Sequence, residues 1–208
     1  MDDSRYVHHC HLYQVNMTEN GRNCWALHVK NLLFSYGFGE VWIMQGVGDE
    51  RLFLNLFKQR CRDIDGQGWV NGLSESPKLD TYKHFKSLLQ YESYLSNIDK
   101  MIFRTTLCRF RASNHNLAIE KGRRDGVSRD RRICIFCNIG NFIEDEFHFC
   151  LICPVYQQLR ELYIPQYFFQ PPSQFKFYSL MRTNHVHTQN NLAKFVFFAF
   201  RLRQSMID

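Results

Sequence analysis

The sequence predicts a mainly α fold, built from several short helices around a small knuckle module, with no large sheet. Three observations predict it. Apolar residues recur at three- and four-residue spacing in most segments. Glycine, proline and capping residues interrupt those segments at short intervals. Four Cys and one His stand close together near residue 140, at spacings that suit a knuckle.

Residues 1–22 read as a weakly ordered lead-in, where His8, His9, Cys10 and His11 belong to a frayed terminus. Residues 23–111 read as a helical, linker-like region. Asn23 precedes Trp25, Val29, Leu32 and Leu33 at helical spacing, and Gly37 stops the run. The pairs Gly37/Gly39 and Gly46/Gly48 lack a strand–loop–helix context and the Lys-Ser/Thr of a phosphate loop, so they read as connectors. Asp49 is placed to cap a helix through Leu52, Phe53, Leu56 and Phe57, continuing to Trp69 despite Gly66 and Gly68. A turn follows around Pro77. Asp80 opens a short helix over Tyr82–Leu89, and Asn97 caps another over Ile98–Arg111. Residues 112–164 hold a basic segment and the knuckle. Residues 165–208 form a helical tail, with helices over Phe175–Met181 and Asn191–Met206.

The 208 residues carry a formal charge of +6, which identifies no partner by itself. Its distribution is more telling. Residues 100–132 hold Lys100, Arg104, Arg109, Arg111, Lys121, Arg123, Arg124, Arg129, Arg131 and Arg132 against Glu120, Asp125 and Asp130. That segment is basic enough to need solvation or neutralisation by an anion, and phosphate is the common one. A solvated basic face is the plainer alternative, and Glu120 and Arg123 are spaced for a local pair. The longest apolar run, Phe195–Phe200, is far too short to span a bilayer. No secretory leader is visible at the start. The eight Cys are therefore expected in a reducing, intracellular setting, nucleus or cytoplasm, rather than a secreted one.

The sharpest motif is Cys134-x2-Cys137-x10-His148-x4-Cys153. Two Cys three apart on a turn can aim both sulfurs at one ion, and a second pair closes a tetrahedron of the kind structural zinc accepts. Three thiolates and an imidazole leave no open position, so the Zn2+ of this zinc knuckle is expected to be structural. Cys150-x2-Cys153 is a rival second pair, with His148 then a bystander. A redox role for Cys-x-x-Cys is disfavoured without a βαβ pattern. Cys24, Cys61 and Cys108 lie in apolar-periodic segments and are expected in the core.

The run Arg109-Phe110-Arg111-x3-His115-x-Leu117-x-Ile119-Glu120-x-Gly122-Arg123, then Arg129-x2-Arg132-x-Cys134-x2-Cys137, then Glu144-Asp145-Glu146-x-His148-Phe149-x3-Cys153-Pro154, resembles the C-terminal region of reverse transcriptases encoded by animal non-LTR retrotransposons. That region contains the reverse-transcriptase zinc-binding module, and the likeness is strongest over 109–164. The resemblance favours His148 over Cys150 as the third ligand. It implies a tail that engages RNA or DNA. The family's Tyr-x-Asp-Asp polymerase motif and its upstream endonuclease are absent from this sequence, so no enzyme activity is expected.

The expectation is a zinc-dependent fragment that binds RNA or single strands, with neither a membrane nor a small-molecule substrate as partner. Its phosphate and base contacts would come from Arg109, Arg111, Lys121, Arg123, Arg124, Arg129, Arg131, Arg132 and Phe136. Phe136 alternatively packs on the module's own core. A zinc-stabilised structural or protein-interaction module, or a decayed retroelement remnant, is the competing reading.

Overall fold

The computed structural model describes residues 6–137 and 140–208. The fold is mainly α. Among the described residues there is no strand, only two isolated antiparallel bridges, Ile133 to Ile143 and Phe169 to Pro172. No helix among them is long and apolar enough to cross a membrane. The chain divides into two compact units, Met1–Trp69 and Val70–Asp208.

In the first unit, helix α1 spans Tyr6–Glu19, so the lead-in expected to fray is helical from Tyr6. Helix α2 (Trp25–Ser35) ends where Gly37 takes φ +80°, a conformation that costs glycine least. Helix α3 (Gly39–Ile43) follows, so Gly39 opens a helix rather than a connector. Asp49 Oδ1 accepts from the backbone N–H of Leu52 (2.8 Å) at the start of α4, Glu50–Glu75. This helix runs through Gly66, Gly68 and Gly72 and ends six residues beyond the expected Trp69. The core here is slight. Phe38, Phe53 and Phe57 pack ring on ring with Tyr36, and Ala26 and Leu33 of α2 are buried.

The second unit holds the main core. A 3₁₀ turn at Pro77–Leu79 is followed by a second at Tyr82–His84. The helix expected over Tyr82–Leu89 stops there. Lys86 is drawn inward and its ammonium donates to the Gln90 carbonyl (2.7 Å), folding the chain into an irregular loop. After the short α5 (Tyr94–Asn97), the next helix begins at Met101, not Ile98: α6 spans Met101–Arg111. Asn97 does not cap it, because its amide donates to Gln189 (2.8 Å). Helix α7 covers Ala118–Arg124, α8 Gln157–Tyr163, α9 Gln166–Phe169 and α10 Gln174–Arg182. The last, α11 (Val186–Ser205), starts five residues earlier than its apolar run suggests, and His185 caps it through Thr188 N–H.

Helix α11 is the spine of this unit, packed against α5, α6 and α8. Its buried stripe, Leu192, Ala193, Phe195, Val196 and Ala199, meets Ile98, Leu107 and Phe110 in one apolar core. Phe149 stands at the centre, in ring contact with Phe110, Tyr156, Phe195 and Phe200. Such aromatic clusters add directional contacts to the burial of large apolar surfaces. Because Phe149 directly follows His148, this core also fixes the knuckle.

Candidate metal centre

The knuckle is assembled from three local devices. The bridge between Ile133 and Ile143 is bracketed by hydrogen bonds from Cys134 N–H to Phe142 O and from Glu144 N–H to Arg132 O, both 2.9 Å. It fixes Cys134, and the turn after it presents Cys137. The chain then makes a π-turn over His148–Ile152, opened by Asp145 Oδ1 accepting from His148 N–H (2.8 Å). The turn is closed by Cys153 N–H donating to His148 O (2.8 Å). Widened turns of this kind are frequent at functional sites.

These devices bring Cys134, Cys137, His148 and Cys153 together. All four are buried, and their ligand atoms lie within 4.8 Å of one another. His148 Nε2 is 3.3 Å from Cys137 Sγ, and the His148 ring stacks on Phe142. Two sulfurs on one zinc ion stand roughly 3.8 Å apart, so little contraction is needed to close a tetrahedron around a metal ion. The donor set, three thiols and one imidazole, fits a soft or borderline cation and no hard one. His148 Nδ1 is buried without a hydrogen-bond partner. Ring stacking therefore takes the orienting role that a hydrogen bond on the second nitrogen usually has.

Electrostatics point the same way. A hydrogen bond with Cys153, opposed by burial and aided by His148, holds the Cys134 thiol far below the ordinary range, and Cys153 is driven up in consequence. The cluster thus favours a thiolate before any ion arrives, as metal binding requires. Cys150 is different. It lies outside the cluster, fully buried, and burial pushes its thiol well up. The geometry therefore chooses His148 over Cys150.

A second layer supports the knuckle. Arg160 is almost completely buried, and its guanidinium donates to the carbonyls of Cys150 and Cys153, both at 2.7 Å. Glu144, also buried, accepts Arg203 Nε (2.8 Å) and Nη2 (2.9 Å) in a bidentate pair, and its Oε2 accepts from Ala118 N–H (2.7 Å). Arg203 also lies over the Phe136 ring, 5.1 Å from its centre. None of the three support residues, Arg160, Glu144 or Arg203, stands out as a site residue in the sequence. Arg203 does continue the buried register of Leu192, Val196 and Ala199, and a charge in that stripe is the available signal.

The candidate nucleic-acid residues separate clearly. Arg111 is buried; it donates to Met181 O and to Glu92 (3.0 Å) and lies between Phe85 and Tyr94. Its charge is engaged inside the fold, which removes it from the nucleic-acid contacts. Arg123 chelates Glu120 through Nε (3.0 Å) and Nη2 (2.9 Å), the local pair its spacing suggested. Arg132 lies across Gly122, where a Cβ would come within 2.7 Å of its side chain, and donates to the carbonyls of Ile119 and Val127. Arg129 is paired with Asp80 at the surface. Arg124 donates to Asn116 (3.0 Å). Arg109, Lys121 and Arg131 are exposed, and their side chains have no hydrogen bond or ion pair among the described residues. Phe136 is half-buried against the core, whereas neighbouring Ile135 is 75% exposed. Cys108, expected in the core, is exposed, and Cys24 and Cys61 are half-buried.

Beside the knuckle lies a groove of about 740 Å³. Lys121, Arg124, Arg131 and Arg132 give it a basic wall, and Ile133, Ile135 and Ile207 an apolar one. A neighbouring hollow of about 340 Å³ contains Arg109 and Arg201 and shares Asn116, Arg203 and Gln204 with the groove. Comparison with known protein families, with curated proteins and with solved structures finds no match to this chain.

Proposed function

We propose that the second unit is a zinc-dependent nucleic-acid-binding module, of the kind that closes non-LTR retrotransposon reverse transcriptases, and that it acts by binding RNA or single-stranded DNA rather than by catalysis. The observation that carries this reading is the groove: Lys121, Arg124 and Arg131 line one open surface together with Ile133 and Ile135, the residues either side of Cys134. Cationic side chains along a groove supply phosphate contacts, and the adjoining apolar wall offers contact to unstacked bases. The resident ion is zinc, held by Cys134, Cys137, His148 and Cys153, and its task is to fix the wall that carries Ile133 and Ile135.

The test is binding of a labelled single-stranded RNA across a salt series. Three or four phosphate contacts give a slope of roughly −2 to −3 in log K against log salt. Lys121→Glu with Arg131→Glu turns two of those contacts into repulsions and abolishes binding, and chelation abolishes it with the knuckle. Binding that ignores salt, or survives both charge reversals, overturns the reading. The exposure of Ile135 and Ile207 favours one alternative, a zinc-stabilised protein-interaction surface. On that reading the charge reversals leave partner binding intact and Ile135→Asp destroys it.

A further inference from the structure

The loop between the Tyr82–His84 turn and α5 borders another cavity, of about 510 Å³, which shares no wall residue with the basic groove. Three cations stand in its wall: Lys86, Arg111 and Arg182. One carboxylate, Glu92, answers them. Lys86 Nζ lies 2.9 Å from Glu92 Oε1, and Arg111 Nη2 lies 3.0 Å from Oε2, so two ion pairs fall on the same acid. Arg182 has no acidic partner among the described residues; it donates to the carbonyls of His84 and Phe85. The wall therefore carries two more positive charges than negative ones. Lys86 and Arg111 are more than nine-tenths buried and share one carboxylate, so one buried charge between them is uncompensated, which is costly there; Arg182 is exposed.

Their donors are not exhausted. Arg111 Nε is buried with no hydrogen-bond partner, although Nη1 and Nη2 are engaged. Lys86 has three N–H groups; one donates to Gln90 O and a second faces Glu92 Oε1, which leaves one. Ser87 and Asn184 line the same space.

We propose that this cavity is a binding site for a phosphate monoester or inorganic phosphate. Charge selects the class. A carboxylate or a phosphodiester brings one negative charge and leaves the wall positive, whereas a monoester dianion brings nearly two and neutralises it. A guanidinium fork and an ammonium are the donors that phosphate recognition uses. Two sources share this chemistry, free phosphate and the terminal phosphate of a nucleotide. Tyr91, 70% exposed in the same wall, is a ring on which a base would stack.

The experiment is calorimetric titration of the full chain, at fixed ionic strength and in reducing buffer. The probes are inorganic phosphate, a nucleoside 5′-monophosphate, the bare nucleoside and dimethyl phosphate. Phosphate and the monophosphate are expected to saturate one site, and dimethyl phosphate to bind at least about tenfold more weakly, one charge-assisted contact being of that size. Tighter binding of the monophosphate than of phosphate assigns the nucleotide source; equal binding assigns free phosphate. Arg182→Gln and Lys86→Met each weaken binding by about tenfold. If Lys86→Met does not fold, the exposed Arg182 decides alone. The paired reversal at Lys121 and Arg131 leaves this binding unchanged while it destroys RNA binding, which keeps the two sites distinguishable. The proposal is overturned by no saturation below about 10 mM, a Kd at which binding is negligible. Equal affinity for dimethyl phosphate, an unaffected Arg182→Gln, or loss on the groove reversal also overturns it.

Discussion

The Glu144–Arg203 pair carries a sharp prediction about stability. Both side chains are buried, and the carboxylate receives two guanidinium bonds and one backbone N–H. Arg203→Met keeps most of the volume and the contact with Phe136 but strands a buried carboxylate. Breaking one side of such a pair costs about 3–5 kcal/mol. For a unit of this size, each kcal/mol moves the midpoint by about 3 °C, so the melting temperature should fall by roughly 10–15 °C. Glu144→Leu alone strands the guanidinium and should cost a similar amount. In the double variant neither charge of the pair remains. Only the Ala118 N–H loses its acceptor, so the double should cost about 1–3 kcal/mol, no more than either single change. Thermal and urea unfolding followed by circular dichroism, closed into a double-mutant cycle, measures all four corners. A double variant as unstable as the sum of the singles, or an Arg203→Met loss under about 1 kcal/mol, refutes the account of a desolvated, mutually dependent pair.

Other expectations follow from the same geometry. His148→Ala should lose bound metal by elemental analysis, whereas Cys150→Ala should retain it and melt only slightly lower, about 1 kcal/mol less stable from a small cavity. Chelation in reducing buffer should expose the thiols of Cys134, Cys137 and Cys153 to titration together, since one ion would hold all three. The Asp80 carboxyl is held below its ordinary value of 3.8 by the Lys83 ammonium, with burial opposing and Arg129 assisting. A depressed carboxyl stabilises the fold above its unfolded value, so this contribution is present at neutral pH and fades as pH falls below about 3.8. NMR titration of Asp80 should show the depression, and Lys83→Ala should reduce it. Finally, Arg111→Ala should destabilise the protein by at least about 2 kcal/mol by removing one of the two ion pairs on Glu92, freeing Met181 O and emptying an aromatic slot, while Arg131→Ala should be neutral in stability and weaken only RNA binding.

The helical class was legible because periodic apolar residues and caps are local signals. Asp49, Gly37 and the α11 stripe act in the structure much as their spacing implies. The failures share one physical origin. Asn97 has the chemistry of a cap and Lys86 the propensity of a helix residue, yet tertiary packing claims both: Gln189 takes the amide of the first, and the second turns inward to Gln90 O and to Glu92, which distant Arg111 also holds. No local pattern records a partner nearly a hundred residues away. The ligand cluster was visible as spacing, because a knuckle is local, and the choice between His148 and Cys150 turned on the winding between them. The basic segment was visible as charge but not as surface. Arg111 and Arg131 look alike in sequence, and only the packing of Phe85 and Tyr94 around the first separates a structural guanidinium from an available one.

The π-turn at His148–Ile152 makes the four-residue gap between His148 and Cys153 a measured length rather than a spacer. One residue fewer would tighten the wide turn to an ordinary helical one and draw Cys153 back along the chain from the place it now holds among the other ligands; one more would overshoot. Phe149, Cys150 and Leu151, all buried, can change identity within the limits of their packing, but their number is fixed. The frame of this stretch is therefore under tighter constraint than its letters: an insertion here would scatter the ligand set while leaving every ligand residue in the sequence.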